Sequence, residues 1–191
     1  KVGDVIAVSA PRNYFPFSAS GKILFIAGGI GITPILPMVS KAVTEGLDWQ
    51  LIVAARNRAR LPFLHELAAL PQERIRFHCD DEAGILDLKT LLAPLGAGTT
   101  VYSCGPAPLL DALQALNEGA PWQLKIERFA AAKRPELEVD RPFEVICRTS
   151  GKRLHVPSDK SLLEVLREAG IKVDSSCREG VCGTCETRVL S

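Results

Sequence analysis

Lys22-Ile23-Leu24-Phe25-Ile26-Ala27-Gly28-Gly29-Ile30-Gly31-Ile32-Thr33-Pro34 decides the fold. Residues 23–27 form an unbroken apolar run, which suits a strand covered on both faces of a parallel sheet and not a half-wet strand with alternating sides. The run stops at Gly28-Gly29-Ile30-Gly31, and a helix is expected over residues 34–44, with Pro34 in its first turn and Gly46 as its stop. In a strand, glycine turn and helix so arranged, backbone lacking Cβ atoms can approach a pyrophosphate, and the helix N-terminus offers oriented N–H groups. The pattern is not G-x-G-x-x-G, because Pro34 stands where the third glycine would be. A tight structural turn is the other reading of the same residues.

Working outward, the unit repeats. Strands are expected over residues 50–55, 74–79, 100–104 and 124–129, and helices over 62–70, 87–92 and 108–117. Strands alternating with helices at this pitch imply βαβ units, hence an α/β fold with an open parallel sheet. Ligands in such sheets bind beyond the carboxyl ends of the strands. That rule lines up residues 28–34, 56–60, 80–84 and 104–106 along one edge. Arg56, Arg58 and Arg60 could there hold a ribose or a 2′-phosphate, or simply be solvated. Cys104-Gly105-Pro106 ends another strand, with Cys104 either at the site or a buried structural thiol. Asp80-Asp81-Glu82 reads as a strand-end turn, and His65, His78 and His155 lack metal spacing. Cys79 and Cys147 read as small apolar groups.

Before this unit, residues 2–10 read as a strand and residues 11–16 as a punctuated loop. Residues 1–20 therefore look like the end of a preceding domain, and the chain like a fragment of a longer one. After it, residues 130–141 lose periodicity and gain charge and proline, as a linker does. Residues 143–149 and 153–156 should form a hairpin about Ser150-Gly151-Lys152, followed by a helix over 161–169. Hairpin, helix and a cysteine loop occur in this order in a ferredoxin β-grasp domain.

That loop is Cys177-Arg178-Glu179-Gly180-Val181-Cys182-Gly183-Thr184-Cys185. Its C-x4-C-x2-C spacing is the loop half of the plant-type [2Fe–2S] pattern, whose fourth cysteine lies further on. Gly180, Gly183 and Thr184 are small enough to let backbone N–H groups reach cluster sulfurs. A zinc loop or disulfide cysteines are the alternatives, although zinc sites usually pair two C-x2–4-C knuckles and only one is present. No cysteine follows Cys185, so the fourth ligand is expected outside these 191 residues.

Composition sets outer bounds. Apolar residues make up 47% and charged residues 24%, as in ordinary globular proteins. A net charge of +1 and a pI near 7.8 leave no electrostatic footprint for nucleic acid or an anionic membrane surface. No apolar run is long enough to span a membrane. Three of the six cysteines crowd into one loop, which argues for a metal centre in a reducing, cytoplasmic setting.

Taken together, Pro11-Arg12-Asn13 with Phe17, GGIGITP, Cys104-Gly105-Pro106, Glu127-Arg128-Phe129 and the cysteine loop resemble the phthalate dioxygenase reductase family, and within it vanillate O-demethylase reductase subunits. The resemblance implies an FMN-binding β-barrel ending in residues 1–20, an NAD-binding domain over 21–129, a linker over 130–141 and a truncated plant-type ferredoxin domain over 142–191. It implies NADH, FMN and a [2Fe–2S] cluster, and electrons leaving for a terminal Rieske-type oxygenase. By that resemblance Gly28, Gly29, Gly31, Thr33, Pro34, Arg56, Gly105 and Pro106 would shape the cofactor site. Cys104 would lie by the nicotinamide, Thr33 near the flavin and Phe129 against its ring, while Cys177, Cys182 and Cys185 would bind iron. The barrel motif that holds FMN in that family falls outside these residues. A ferredoxin-like electron carrier with a vestigial nucleotide fold, and a zinc-stabilised interaction module, are the competing readings.

Overall fold

The computed structural model describes residues 1–6, 8, 10–18, 21–130 and 140–190. They divide into two compact units, residues 1–128 and 129–191.

The first unit is built on five parallel strands, β1 (Lys22–Gly28), β2 (Asp48–Ala55), β3 (Ile75–Cys79), β4 (Thr99–Cys104) and β5 (Gln123–Glu127), in the order β3-β2-β1-β4-β5. The five helices between them are α1 (Ile32–Thr44), α2 (Leu64–Ala68), α3 (Asp80–Ala83), α4 (Leu88–Leu92) and α5 (Ala107–Asn117). The apolar run of β1 is explained by its two faces. Ile23, Phe25 and Ala27 enter a core with Ile32, Ile35, Val39 and Ala42 of α1, whereas Leu24 and Ile26 enter a second core with Leu88, Leu92, Leu110 and Leu113 of α4 and α5. Burying each large aliphatic or aromatic side chain contributes about 2 kcal/mol. The register sets Phe25 opposite Leu51 and Tyr102, and Ala27 opposite Cys104.

The second unit holds a hairpin of β6 (Phe143–Ile146) and β7 (Arg153–Val156), followed by α6 (Leu162–Glu168). Ser161 caps α6 in a reciprocal box: its hydroxyl accepts the Glu164 N–H at 3.3 Å, and the Glu164 carboxylate accepts the Ser161 N–H at 2.8 Å.

Several expectations need correcting. The described residues of 2–10 form no strand, and Val2, Val5, Ile6 and Val8 are exposed. A strand exists only by pairing, and among the described residues no neighbouring strand meets them. Asp80–Ala83 closes a single helical turn instead of a plain strand-end turn, its acidic residues favoured at the positive end of the dipole. The helix expected over 62–70 is shorter, because Phe63 adopts the left-handed conformation (φ +58°) just before it. The strand expected over 143–149 ends at Ile146, where Cys147 starts the turn by accepting the Gly151 N–H at 2.8 Å. Residues 131–139 of the expected linker lie outside the described residues.

Candidate functional site

Chain direction across the sheet reverses between β1 and β4, so their carboxyl ends form the switch point at which such sheets bind ligands. The Gly28–Gly31 and Cys104–Pro106 turns meet there without space for side chains. A Cβ on Gly31 would lie 2.1 Å from the Cys104 carbonyl oxygen, and one on Gly28 would lie 2.6 Å from Pro106 Cδ. One on Gly105 would lie 3.0 Å from the Gly28 Cα. These three glycines lock two loops together, so the structural-turn reading accounts for them. Gly29 differs. It has φ +54°, and nothing lies within 4 Å of the place a Cβ would occupy. That open backbone is the approach a phosphate group would need. Beside it the Thr33 hydroxyl donates to the Ile30 carbonyl at 2.9 Å, tying the turn to α1, and Pro34 is half-buried. Pro106 precedes α5 with extended backbone, and its carbonyl accepts from the Leu109 and Leu110 N–H groups.

Cys104 is fully enclosed. Burial first, then the neighbouring Glu127 carboxylate, pushes its thiol up to about 12. Near neutral pH it is a protonated group that can position a ligand and cannot act as a thiolate. Glu127 faces it in register across β4 and β5, and burial raises that carboxyl above its ordinary value.

A neighbouring aromatic cluster went unread in the sequence. Tyr102 packs against Phe15, Phe17 and Phe25 with ring centroids 5.4–5.8 Å away. Its hydroxyl donates to the Ser18 carbonyl at 2.7 Å and accepts the Ser18 N–H at 3.0 Å. Lys125 lies over the Tyr102 ring at 5.4 Å and reaches the Ser18 hydroxyl at 2.9 Å. The segment at residues 15–18 is thus fastened to the face of the sheet below Cys104. The only local signal was the Asn13 side chain, which turns the chain by accepting the Phe15 N–H at 3.0 Å.

At the end of β2 the three arginines differ. Arg58 is held by Glu82 through two contacts, Nε–Oε1 at 2.6 Å and Nη2–Oε2 at 3.2 Å, while Arg56 and Arg60 are exposed. The Asp81 N–H donates to the Arg56 carbonyl at 3.1 Å. Between these tethers Asn57 Oδ1 is buried without a hydrogen-bond partner. His78 is buried, with Nε2 2.8 Å from the Gly84 carbonyl, an ordinary fold residue. Phe129 begins the second unit and is 52% exposed, and Arg128 before it is bound by Asp111 and Gln114.

In the second unit the cysteine loop turns through three left-handed residues, Arg178, Gly180 and Gly183. Two backbone N–H groups aim at Cys177 Sγ, from Cys182 at 3.3 Å and Glu179 at 3.5 Å. The Thr184 hydroxyl, 3.1 Å from Cys182 Sγ, leads a set of hydrogen bonds that lowers the Cys182 thiol to about 6. Cys182, so favoured as a thiolate, and Cys177, with two N–H groups directed at its sulfur, suit the donor set an iron–sulfur cluster requires.

The first unit is thus a parallel sheet of nucleotide-binding type, and the second carries a three-cysteine loop. Residues 145–191 match the 2Fe-2S iron-sulfur cluster binding domain. The putative reductase subunit of a toluene-4-sulfonate monooxygenase system from Comamonas testosteroni is 42% identical over 100% of this chain and 60% of its own length. Vanillate O-demethylase oxidoreductase of Pseudomonas sp. (strain HR199 / DSM 7063) is 37% identical over 100% of this chain and 62% of its own length. The solved structure of phthalate dioxygenase reductase, described as a modular structure for electron transfer from pyridine nucleotides to [2Fe-2S], superposes with a TM-score of 0.63 at 32% identity, covering 91% of this chain and 56% of that one. The chain is thus similar, over nearly its whole length, to reductases of the phthalate dioxygenase reductase type. It spans about 60% of the length of the curated relatives it matches.

Proposed function

We propose that the chain is the nucleotide-binding and iron–sulfur portion of the reductase component of a multicomponent oxygenase or demethylase, working in the cytoplasm. Electrons enter from NADH, pass through FMN and a [2Fe–2S] cluster, and leave for a terminal Rieske-type oxygenase. The observation that carries this reading is the pairing, in one chain, of an open glycine turn at a sheet switch point with a C-x4-C-x2-C loop whose N–H groups point at sulfur. The bound nicotinamide, flavin and cluster supply the redox chemistry, and the protein supplies position.

Gly29 leaves its backbone accessible to the nucleotide phosphates, and the interlocked Gly28, Gly31 and Gly105 hold that turn still. Cys104, enclosed and kept neutral, lies behind the turn that would face the nicotinamide, which Gly105 and Pro106 continue. Tyr102, Phe15 and Phe17 support the segment at residues 15–18 and Thr33 fixes the turn beside Gly29; as the family resemblance implies, Phe129 would pack on the flavin ring. Cys177, Cys182 and Cys185 bind iron. Among the described residues no helix is long and apolar enough to cross a membrane.

The test uses the full-length protein purified without oxygen. It should contain flavin, iron and acid-labile sulfide, and NADH should bleach its visible spectrum; Cys182→Ser should abolish iron retention. A protein that binds no flavin and whose spectrum ignores NADH overturns the proposal in favour of a plain electron carrier. Stoichiometric zinc in a colourless protein would mark an interaction module.

A further inference from the structure

Residues 54–61, AARNRARL, contain three arginines and no carboxylate. In nucleotide-binding sheets the end of the second strand reads the adenosine ribose. An acidic side chain there accepts from the 2′-hydroxyl, and an arginine there accommodates a 2′-phosphate. On sequence alone these arginines leave the site open to a ribose or to a 2′-phosphate.

The structure alters that reading in two independent ways. The missing carboxylate arrives from the next loop: Glu82 of α3 grips Arg58 at two points, and the Asp81-to-Arg56 backbone bond fixes α3 against the end of β2. The guanidinium that would take a 2′-phosphate already holds an anion. The second feature is Asn57 Oδ1, a buried acceptor with no donor, lodged between the two tethered residues. An unmet buried acceptor is unfavourable until a donor reaches it. A ribose hydroxyl is a donor, whereas a phosphate ester near neutral pH offers mainly acceptor oxygens and negative charge.

We propose that Glu82 and Asn57 make this end of the site selective for an adenosine ribose with a free 2′-hydroxyl, Glu82 by occupying Arg58 and Asn57 by accepting from the hydroxyl. The inference rests on the nucleotide-site reading above and adds the residues that select its adenosine ribose. Arg58 and Glu82 are 75% and 46% exposed, so the selectivity from the pair is modest, about fivefold, as for surface ion pairs.

The experiment is calorimetric binding of ADP-ribose and 2′-phospho-ADP-ribose to the 191-residue chain and three variants. The wild type should bind ADP-ribose more tightly. Glu82→Gln frees Arg58 and should strengthen 2′-phospho-ADP-ribose about fivefold while leaving ADP-ribose nearly unchanged. Arg58→Ala leaves the Glu82 carboxylate alone and should weaken the phosphorylated ligand instead. Both substitutions break the same ion pair, so a merely structural role would move them in parallel, and parallel or absent shifts overturn the assignment of Glu82. Asn57→Ala should weaken ADP-ribose several-fold, and unchanged affinity overturns the role of Asn57. If neither ligand binds wild-type protein, the underlying nucleotide-site reading is what fails.

Discussion

Gly31→Ala places a methyl group where the backbone of the next loop already stands. Its carbon would lie 2.1 Å from the Cys104 carbonyl oxygen, 2.4 Å from its carbon and 2.7 Å from the Gly105 nitrogen. None of these atoms ends a flexible side chain, so relief requires about an ångström of backbone separation between the β1 and β4 turns. Overpacking that side chains can absorb costs about 1–3 kcal/mol. Here the displaced carbonyl also belongs to the residue paired with Ala27 at the end of the β1–β4 ladder, so roughly another 1 kcal/mol is lost with a backbone hydrogen bond. The first unit should lose about 2–4 kcal/mol, toward the upper end because backbone must move. Gly29→Ala is the control, because its methyl meets open space and bears only the left-handed backbone cost of about 1–2 kcal/mol. The assay is urea titration followed by tryptophan fluorescence. Trp49 and Trp122 are the protein's two tryptophans and both are buried in the first unit, so the signal ignores the second. If Gly31→Ala is no more destabilising than Gly29→Ala, the interlocked-turn account is refuted.

Three further outcomes are expected. Because burial lifts Cys104 from 9.0 to about 12, both folded and unfolded states keep the proton below pH 9, and above it only the unfolded state releases it. Stability should then fall with pH between about 9 and 12 by up to roughly 1.4 kcal/mol per unit more in wild type than in Cys104→Ala, read from urea midpoints; equal slopes would remove the effect. Tyr102→Phe, which strips partners from both the N–H and carbonyl of Ser18, should cost about 1–2 kcal/mol and speed hydrogen exchange at residues 15–18, and unaltered exchange would contradict the fastening role. Ser161→Ala should weaken α6 by about 1 kcal/mol, visible as faster exchange in residues 162–168, with Ser161→Asp restoring most of the protection.

The sheet was legible because its signals are local. A strand covered on both faces must be apolar throughout, and a helix after it must open with a turn, so residues 22–44 announced themselves. The cysteine spacing is local too. What escaped reading was long-range. Tyr102 and Ser18 are 84 positions apart, and nothing near either residue shows that they meet. Glu82 looked like part of an acidic turn until α3 carried it to Arg58, 24 positions away. The glycines were legible as glycines, but Gly28 and Gly31 face another turn whereas Gly29 faces open space, a distinction set by β4 and not by their own neighbours. Residues 2–10 misled because an apolar run specifies a strand only where another strand is present to receive it.

The enclosure of Cys104 also bears on chemical durability. Peroxide attacks thiolates, advancing cysteine toward sulfenic and then irreversible acids. A sulfur that keeps its proton to about 12 and offers no surface to solvent withholds both the reactive form and the route to it. The fold thereby keeps a cysteine at the end of β4 without surrendering it to oxidation, and serine would not be needed there for safety.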